Sequence, residues 1–346
     1  MSGHGPTVPA PPTLTRVPAA RTYVLYTPVL RSSHLERLAP VPGFRLLAAD
    51  RHPDCDDALL AAAPFPLLLD GLDALEADLR ADPPDVLEVT EPLWTAQWEA
   101  SLRLAGAAPR ARLVTYAIEV LPPASAPGTG RLAAVAYGSE AARRAYEVAY
   151  PGAGWAATVV EERRGRCRLC FPDSEVADAQ REVVFAAEFS ERKAVDLLMA
   201  AWDEAAPSGW RLRLLGWGPR TDQVLAWAAE RADVDVVVGA GRDVVHEALR
   251  RAAVVVLPSR RVPGWREQVG LSLVEGLAHG CALLTTEETG LADGLRDCGH
   301  TVVEAGSGPA LAQGLRTAVA GAPLVKVLPT ADGDSRQQVQ RWLASA

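Results

Sequence analysis

The chain has 346 residues, 49% of them hydrophobic and 23% charged, with a formal net charge of -8. One hydrophobic core rarely serves so long a chain, so two domains are expected. The acidic balance excludes a surface built to neutralise nucleic-acid phosphate, and neither half is basic enough to form a face for anionic lipid.

Residues 1–20 are rich in Pro, Thr, Ala and Gly without periodicity and read as a disordered tail. They hold no apolar stretch of the secretory kind, and no run of about 18 apolar residues occurs in the chain, so no membrane span and a cytoplasmic location are expected. From residue 21 the pattern alternates. "RTYVLYTPVL" and "GFRLLAAD" read as buried strands, "FPLLLDGLDALEADLRADPP" as one amphipathic helix ending at prolines, "DVLEVTEP" as a strand, "LWTAQWEASLRLAGA" as a helix and "ARLVTYAIEV" as a strand. A turn-rich passage, "PGAGWAATVVEERRGRCRLCFPDSEVADAQ", interrupts this order. It resumes with strands at "EVVFAAEFS", "WRLRLLGWG", "VDVVVGAG" and "AVVVLPS", separated by helices at "KAVDLLMAAWDEA", "TDQVLAWAAERA" and "RDVVHEALRRA".

Short apolar strands between helices are the pattern of a parallel sheet covered on both faces. The expected fold class is α/β, with two doubly wound Rossmann-like domains facing a central cleft. The first spans residues 21–172 and the second 173–330, with a C-terminal helix in 331–346 placed to cross back to the first. Ligands of such sheets bind at the carboxyl ends of the strands.

Five cysteines, at 55, 167, 170, 281 and 298, are too few and too scattered for a disulfide framework. Cys167 and Cys170 form a lone C-x-x-C. A zinc site needs a second ligand pair, and the six histidines, at 4, 34, 52, 246, 279 and 300, show no helical pairing, so no metal is expected. Acidic pairs able to hold a divalent cation occur in "DCDD", "DVD" and "DGD", a pattern cheap in an acidic chain. "GAGRDV" has two of the three glycines of a dinucleotide fingerprint and follows the third strand of its unit, where the fingerprint requires the first.

The second unit brings three strand ends to one edge. "AEFSERKAV" leaves its first strand, "LLGWGPR" its second, and "LPSRRVPGWREQVGLSLVEGLAHGCALLT" its fourth. A helix starting near Gly270 presents unpaired N–H groups and partial positive charge, so Gly270 and Leu271 are candidates to cradle phosphate. Only Lys193 and Lys326, among 35 basic residues, are lysine; Lys193 adds a compact cation to this edge, with Arg192 beside it. Glu275, inside the helix, suits ribose hydroxyls, and Glu267, before it, suits a projecting sugar. In the first unit, Trp94 and Trp98 at helical spacing, and His34 in the first loop, are candidates to face an acceptor.

These elements resemble the E-x7-E segment of the retaining glycosyltransferases of family 4, which have the GT-B fold. Pro-Ser, E-x-x-G-L, V-E-G and the following small and hydrophobic residues all stand in order. "EFSERKAVDLL", "LLGWGP", "AYGSEAARRAY" and "DVLEVTEP" match further family motifs over residues 85–320. The resemblance implies that Glu275 binds the donor ribose, that Lys193 meets the diphosphate, and that Gly270 and Leu271 bind the phosphates through backbone N–H; Arg192, beside the lysine, is a donor-binding candidate that could stand in for the family's arginine. It implies that Val269 and Gly216 line the donor, and that Glu267 binds the sugar hydroxyls and acts with Lys193 in catalysis. Glu119 stands near the place of a first-domain catalytic histidine. The family uses a nucleotide-sugar donor, no cofactor and no bound metal, since fixed cations and dipoles meet the charge of the leaving diphosphate.

Three positions depart from the family pattern. Glu188 stands where an arginine usually meets the diphosphate, Ala194 replaces the glycine after the lysine, and "YTPVLRSSH" lacks the glycines of the first phosphate loop. The implied function is transfer of a sugar, with retention, from a nucleoside diphosphate to a small soluble acceptor. The arginine bias and alanine richness suggest a bacterial setting of specialised-metabolite (antibiotic) biosynthesis. The alternatives are cell-surface polysaccharide assembly, a non-catalytic sugar-nucleotide-binding protein or partner subunit, and an enzyme acting on the nucleotide sugar itself.

Overall fold

A computed structural model describes residues 22–38, 41, 43–53, 55–90, 95–119, 122, 126, 128–330 and 334–346. The first unit runs β1 (Tyr23–Leu30), α1 (Ser32–Arg37), β2 (Phe44–Arg51), α2 (Asp57–Ala61), β3 (Leu67–Leu69), α3 (Leu72–Ala81), β4 (Val86–Val89), α4 (Thr95–Ala107), β5 (Arg112–Ala117), β6 (Leu132–Tyr137), α5 (Glu140–Ala149) and β7 (Ala156–Val159). After β8 (Val176–Asp178) the second unit runs β9 (Gln180–Ala186), α6 (Val195–Ala205), β10 (Arg211–Gly216), α7 (Thr221–Ala228), β11 (Val234–Val238), α8 (Arg242–Arg251), β12 (Ala252–Leu257), α9 (Leu271–Ala278), β13 (Ala282–Thr286), α10 (Ala292–Asp297), β14 (Thr301–Val303) and α11 (Gly308–Gly321). β15 (Val325–Val327) and α12 (Ser335–Ser345) follow.

The first sheet has the order β3-β2-β1-β4-β5-β6-β7 and the second β11-β10-β9-β12-β13-β14. Every pairing in both is parallel. The strand order reverses between β1 and β4 in one unit and between β9 and β12 in the other, and a doubly wound sheet opens its ligand crevice at that reversal. The central strands are fully buried because helices cover both faces: all six residues of β12 are buried, which is why they read as an unbroken apolar run.

Two segments differ from the sequence expectation. "FPLLLDGLDALEADLRADPP" is a strand followed by a helix. Pro64 and Pro66 hold the preceding backbone extended, Leu67–Leu69 pair with Leu46–Ala48, and Gly71 is the N-cap of α3. The turn-rich passage contains β7, the seventh strand of the first sheet, and β8, which pairs antiparallel with β15. Both are partly exposed edge strands, so neither shows a continuous apolar run.

The helix α12 packs on the first sheet. Val339 and Leu343 are fully buried with Tyr23, Leu25, Phe44 and Leu46. Arg336 donates to both oxygens of Glu88 at 2.7 Å, and the buried Glu88 also accepts from Tyr23. Asp334 caps the helix and pairs with Arg37 at 3.0 Å.

Candidate active site

The crevice of the second unit is built from the loops that follow β9, β10 and β12. Arg260 N–H donates to the carbonyl of Arg192 at 3.0 Å, so the exits of β12 and β9 lie side by side. The loop after β12 is held from the far side by the exit of β13. Thr286 donates to the Ser259 carbonyl at 2.5 Å, Thr289 to the Val269 carbonyl at 3.1 Å, and Gly290 N–H to the Gln268 carbonyl at 2.8 Å. Arg266 donates to the carbonyls of Glu287 and Glu288, each at 3.0 Å. A loop with this many fixed carbonyls presents its side chains at set positions.

Lys193 and Glu267 meet in this crevice. Lys193 Nζ donates to Glu267 Oε2 at 2.5 Å, and Ser259 Oγ donates to the same oxygen at 2.6 Å. Both charged side chains are largely buried, at 14% and 8% exposure. A tight turn at Val262–Trp265 carries the indole of Trp265 to the same place, with Arg192 4.8 Å and Lys193 5.1 Å from its ring centre. Lys193 precedes Ala194, a fully buried residue at φ 54° that opens α6. A left-handed alanine costs about 1 kcal/mol, so the turn carries local strain beside the lysine.

Arg192 is turned to a different partner. Its guanidinium is 2.5 Å from Glu188, four residues earlier, so the acid standing in the family's arginine position neutralises the nearby cation. Lys193 is itself matched by Glu267.

Gly270 sits at the mouth of α9 with φ 75°. A Cβ there would stand 2.8 Å from Leu257 and 2.9 Å from Leu273, so both conformation and packing require glycine. Its carbonyl accepts from Leu273 and Val274, which leaves the amides of Leu271 and Ser272 as the first-turn donors of the helix. The side chain of Leu271 is 55% exposed at this edge. Gly216 ends β10 against the neighbouring loop: a Cβ would fall 2.0 Å from the Ala187 carbonyl oxygen, and at Gly218, φ 151°, 2.7 Å from that of Phe189. The two glycines let residues 216–218 lie on residues 187–189 and leave the intervening Trp217 67% exposed.

Glu275 is buried one turn inside α9, where Arg242 donates to Oε1 at 2.6 Å and Arg164 at 3.1 Å. Arg242 comes from the start of α8 and Arg164 from the segment joining the two units. Two arginines on one buried carboxylate fix its direction and match its charge. Arg164, Arg242, Ser259 and Trp265 are site residues that sequence reasoning does not assign. Only Trp265, through its place before Glu-Gln, carries a local signal.

Of the first-unit candidates, Trp98, His34 and Glu119 are not drawn into this cluster. Trp98 is 1% exposed in the core with Leu87, Leu104 and Leu113, which corrects its reading as an acceptor platform: helical spacing served packing. His34 accepts the Arg31 N–H on Nδ1 at 3.1 Å and so caps its own helix. Glu119 is buried and accepts from Tyr146 at 2.8 Å. Trp94 lies outside the described residues. Between α5 and residues 287–293 an open cleft of about 710 Å³ separates the units, with Arg144, Arg266, Thr289 and Asp293 among its lining. It borders the crevice loop at Arg266 without including Glu267 or Glu275.

The C-x-x-C is not alone. His246 of α8 and His279, just after α9, converge on Cys167 and Cys170, which corrects the expectation that the histidines form no suitable cluster. Their partners come from segments distant in sequence, where helical spacing gives no sign.

Two facing doubly wound units, with the helix of the second unit opening on the crevice between carboxylates, define the GT-B architecture of glycosyltransferases. Residues 180–320, the core of the second unit, match the family model Glycosyl transferases group 1. A glycogen synthase of Edwardsiella ictaluri is 37% identical over 112 residues, 32% of this chain and 22% of the relative; the chain thus spans about a quarter or less of the length of the curated relatives it matches. Anabaena HepE in complex with UDP-glucose superposes with a TM-score of 0.60 at 12% identity, covering 93% of this chain and 95% of that one. AviGT4, a glycosyltransferase involved in avilamycin A biosynthesis, gives 0.58 at 18% identity, with 93% and 95% covered. Among the described residues no helix is long and apolar enough to cross a membrane.

Proposed function

We propose that this protein is a glycosyltransferase moving a sugar from a nucleoside diphosphate to a small acceptor with retention of configuration. The observation that carries the reading is the meeting of Lys193, Glu267, the α9 N-terminus and Glu275 at the strand-order reversal of the second sheet. In this reading the diphosphate lies over the amides of Leu271 and Ser272, with Lys193 as its cation. The ribose hydroxyls meet Glu275, which the two arginines hold through Oε1. The sugar reaches Glu267, and arrival of the diphosphate draws Lys193 from that carboxylate toward phosphate. No metal takes part, because the lysine and the helix dipole meet the charge of the leaving group.

An acceptor from specialised metabolism is the finer part of the proposal. It is supported by the acidic first unit and by likeness in fold to a protein of avilamycin A biosynthesis. A second reading rests on the Glu188–Arg192 pair: with one cation neutralised by an acid, the chain binds a sugar nucleotide without turning it over. Thermal-shift titration with UDP, GDP, TDP and ADP, followed by donor hydrolysis assays, separates the two. A ligand at 100 times its Kd raises stability by about 2.7 kcal/mol. Binding with turnover supports the first reading and binding without turnover the second; no shift with any nucleotide overturns both.

A further inference from the structure

The geometry points to a structural zinc site formed by Cys167, Cys170, His246 and His279, clamping the segment between the two units onto the second. The four ligand atoms all lie within 4.8 Å of one another. Cys167 Sγ is 3.4 Å and Cys170 Sγ 3.7 Å from His246 Nδ1, and Cys170 Sγ is 3.3 Å from His279 Nε2. A tetrahedral zinc with Zn–S of about 2.3 Å and Zn–N of about 2.0–2.1 Å places its sulfur and nitrogen ligands about 3.5 Å apart. The three sulfur–nitrogen separations bracket that value, so an ion fits at the centre with small adjustments of side chains.

The surroundings orient the ligands. His279 Nδ1 donates to the Glu275 carbonyl at 2.8 Å, which fixes the ring and leaves Nε2 toward the thiols. Its ring also packs edge-on to Phe171 with centres 5.9 Å apart. Cys167 N–H donates to the Ala278 carbonyl at 3.0 Å, and its own carbonyl accepts from Phe171 N–H at 2.9 Å, closing a turn that carries both thiols to one side. Cys167, Cys170 and His246 are partly exposed while His279 is buried, so an ion has a path in.

Two thiolates and two neutral imidazoles select zinc among the abundant divalent cations. Four protein ligands close the coordination sphere, which makes the site structural and not catalytic. Its place has a consequence for the crevice. His246 Nε2 lies 3.1 Å from Arg242, which in turn holds Glu275. Zinc on Nδ1 puts the imidazole proton on Nε2, so Arg242 gives up that contact and keeps its bond to Glu275. Zinc thus ties down the segment carrying Arg164, the other arginine on Glu275.

Elemental analysis of the full chain, desalted without chelator, is expected to find a single tightly held zinc. Cobalt replacing it is expected to give the thiolate charge-transfer band and intense visible bands of a four-coordinate S2N2 site, both lost in Cys167→Ser and Cys170→Ser. A wild-type chain that holds no metal and takes up none at micromolar zinc would overturn the assignment, whether or not the variants fold. So would a Cys167–Cys170 disulfide as the form of the native chain, seen as the loss of two hydrogens in intact mass without reductant.

Discussion

Lys193 and Glu267 are 74 residues apart in the chain and 2.5 Å apart in the structure, with Ser259 donating to the same carboxylate oxygen. The two side chains close on each other across the crevice, and in the proposed reading the competitor for the lysine is a diphosphate over the α9 N-terminus. Lys193→Ala is expected to lower donor turnover about 10²–10³-fold, the usual loss when a donor to a developing anion is removed. Glu267→Gln, which keeps shape and the Ser259 contact, is expected to leave nucleotide binding intact while lowering kcat. Equal losses in UDP affinity for both variants would sink the division of roles.

Glu275 and its arginines form a three-body ion cluster, so removal of the acid has two effects. Glu275→Ala takes from Arg164 and Arg242 the buried carboxylate that they share and is expected to destabilise the chain by about 3–5 kcal/mol. Glu275→Gln keeps the volume and removes the charge. It is expected to weaken nucleoside diphosphate binding by about 1.5–3 kcal/mol, the worth of hydrogen bonds to a charged group. Calorimetric titration with UDP and with pyrophosphate checks the ribose assignment: affinity for pyrophosphate should be unchanged.

Gly216 is predicted to tolerate no side chain. An alanine Cβ 2.0 Å from the Ala187 carbonyl oxygen forces the β9 and β10 exits apart, and Gly216→Ala is expected to cost about 3 kcal/mol or more in urea unfolding. Gly216 reads in sequence as a donor-lining residue. Its measured role would then be to set the spacing of the two loops, and Trp217→Ala, on an exposed side chain, should leave stability unchanged.

Lys326, the second lysine, is fully buried and donates to the carbonyls of Leu249, Arg250 and Ala252 at 3.1, 2.8 and 3.1 Å. It closes the carboxyl end of α8, where a cation meets the helix dipole. Lys326→Met is expected to cost about 2–4 kcal/mol through unsatisfied buried carbonyls, and Lys326→Arg should not restore it, because a planar fork cannot reach three converging acceptors. Wild-type stability in the arginine variant would contradict this account. Both lysines that survive in this arginine-rich chain occupy places where a compact ammonium is needed.

His300 predicts a pH effect. Burial first, and Arg163 second, lower its imidazole pKa, and Nδ1 accepts the Leu283 N–H at 3.3 Å. The native chain therefore holds it neutral, whereas the unfolded chain protonates it near pH ~6.5. Its contribution is complete above about pH 6.5 and is lost as pH falls through the depressed native value. Urea unfolding of wild type and His300→Asn between about pH 7.5 and about pH 5 should show the wild type losing its advantage on acidification. Parallel curves would remove His300 from the explanation.

The legibility of the sequence followed the range of the interactions. Central strands such as β12 were readable because burial on both faces demands unbroken apolar runs, and the start of α9 because Gly270 precedes it after such a strand. β3 was absorbed into a helix because three leucines fit either period, and β7 and β8 escaped because edge strands carry exposed residues. The Glu188–Arg192 pair lies at helical spacing and is a local fact. By contrast, Arg164 and Arg242 reach Glu275 from 111 and 33 residues away, and His246 and His279 reach the cysteines across similar gaps, so nothing local announces them. Trp98 misled in the opposite direction, since an aromatic at helical spacing looks the same whether it faces a ligand or the core.

The packing of α12 on the first sheet bears on how the chain is made. Arg336 and Glu88 are 248 residues apart, and the whole second unit is synthesised between them. As the polypeptide leaves the ribosome, the first unit must wait with Glu88 lacking its guanidinium and with the patch that receives Val339 and Leu343 open to water. A nascent chain halted after residue 330 would expose this patch to chaperones, so the two units complete their folding together and not in the order of their synthesis.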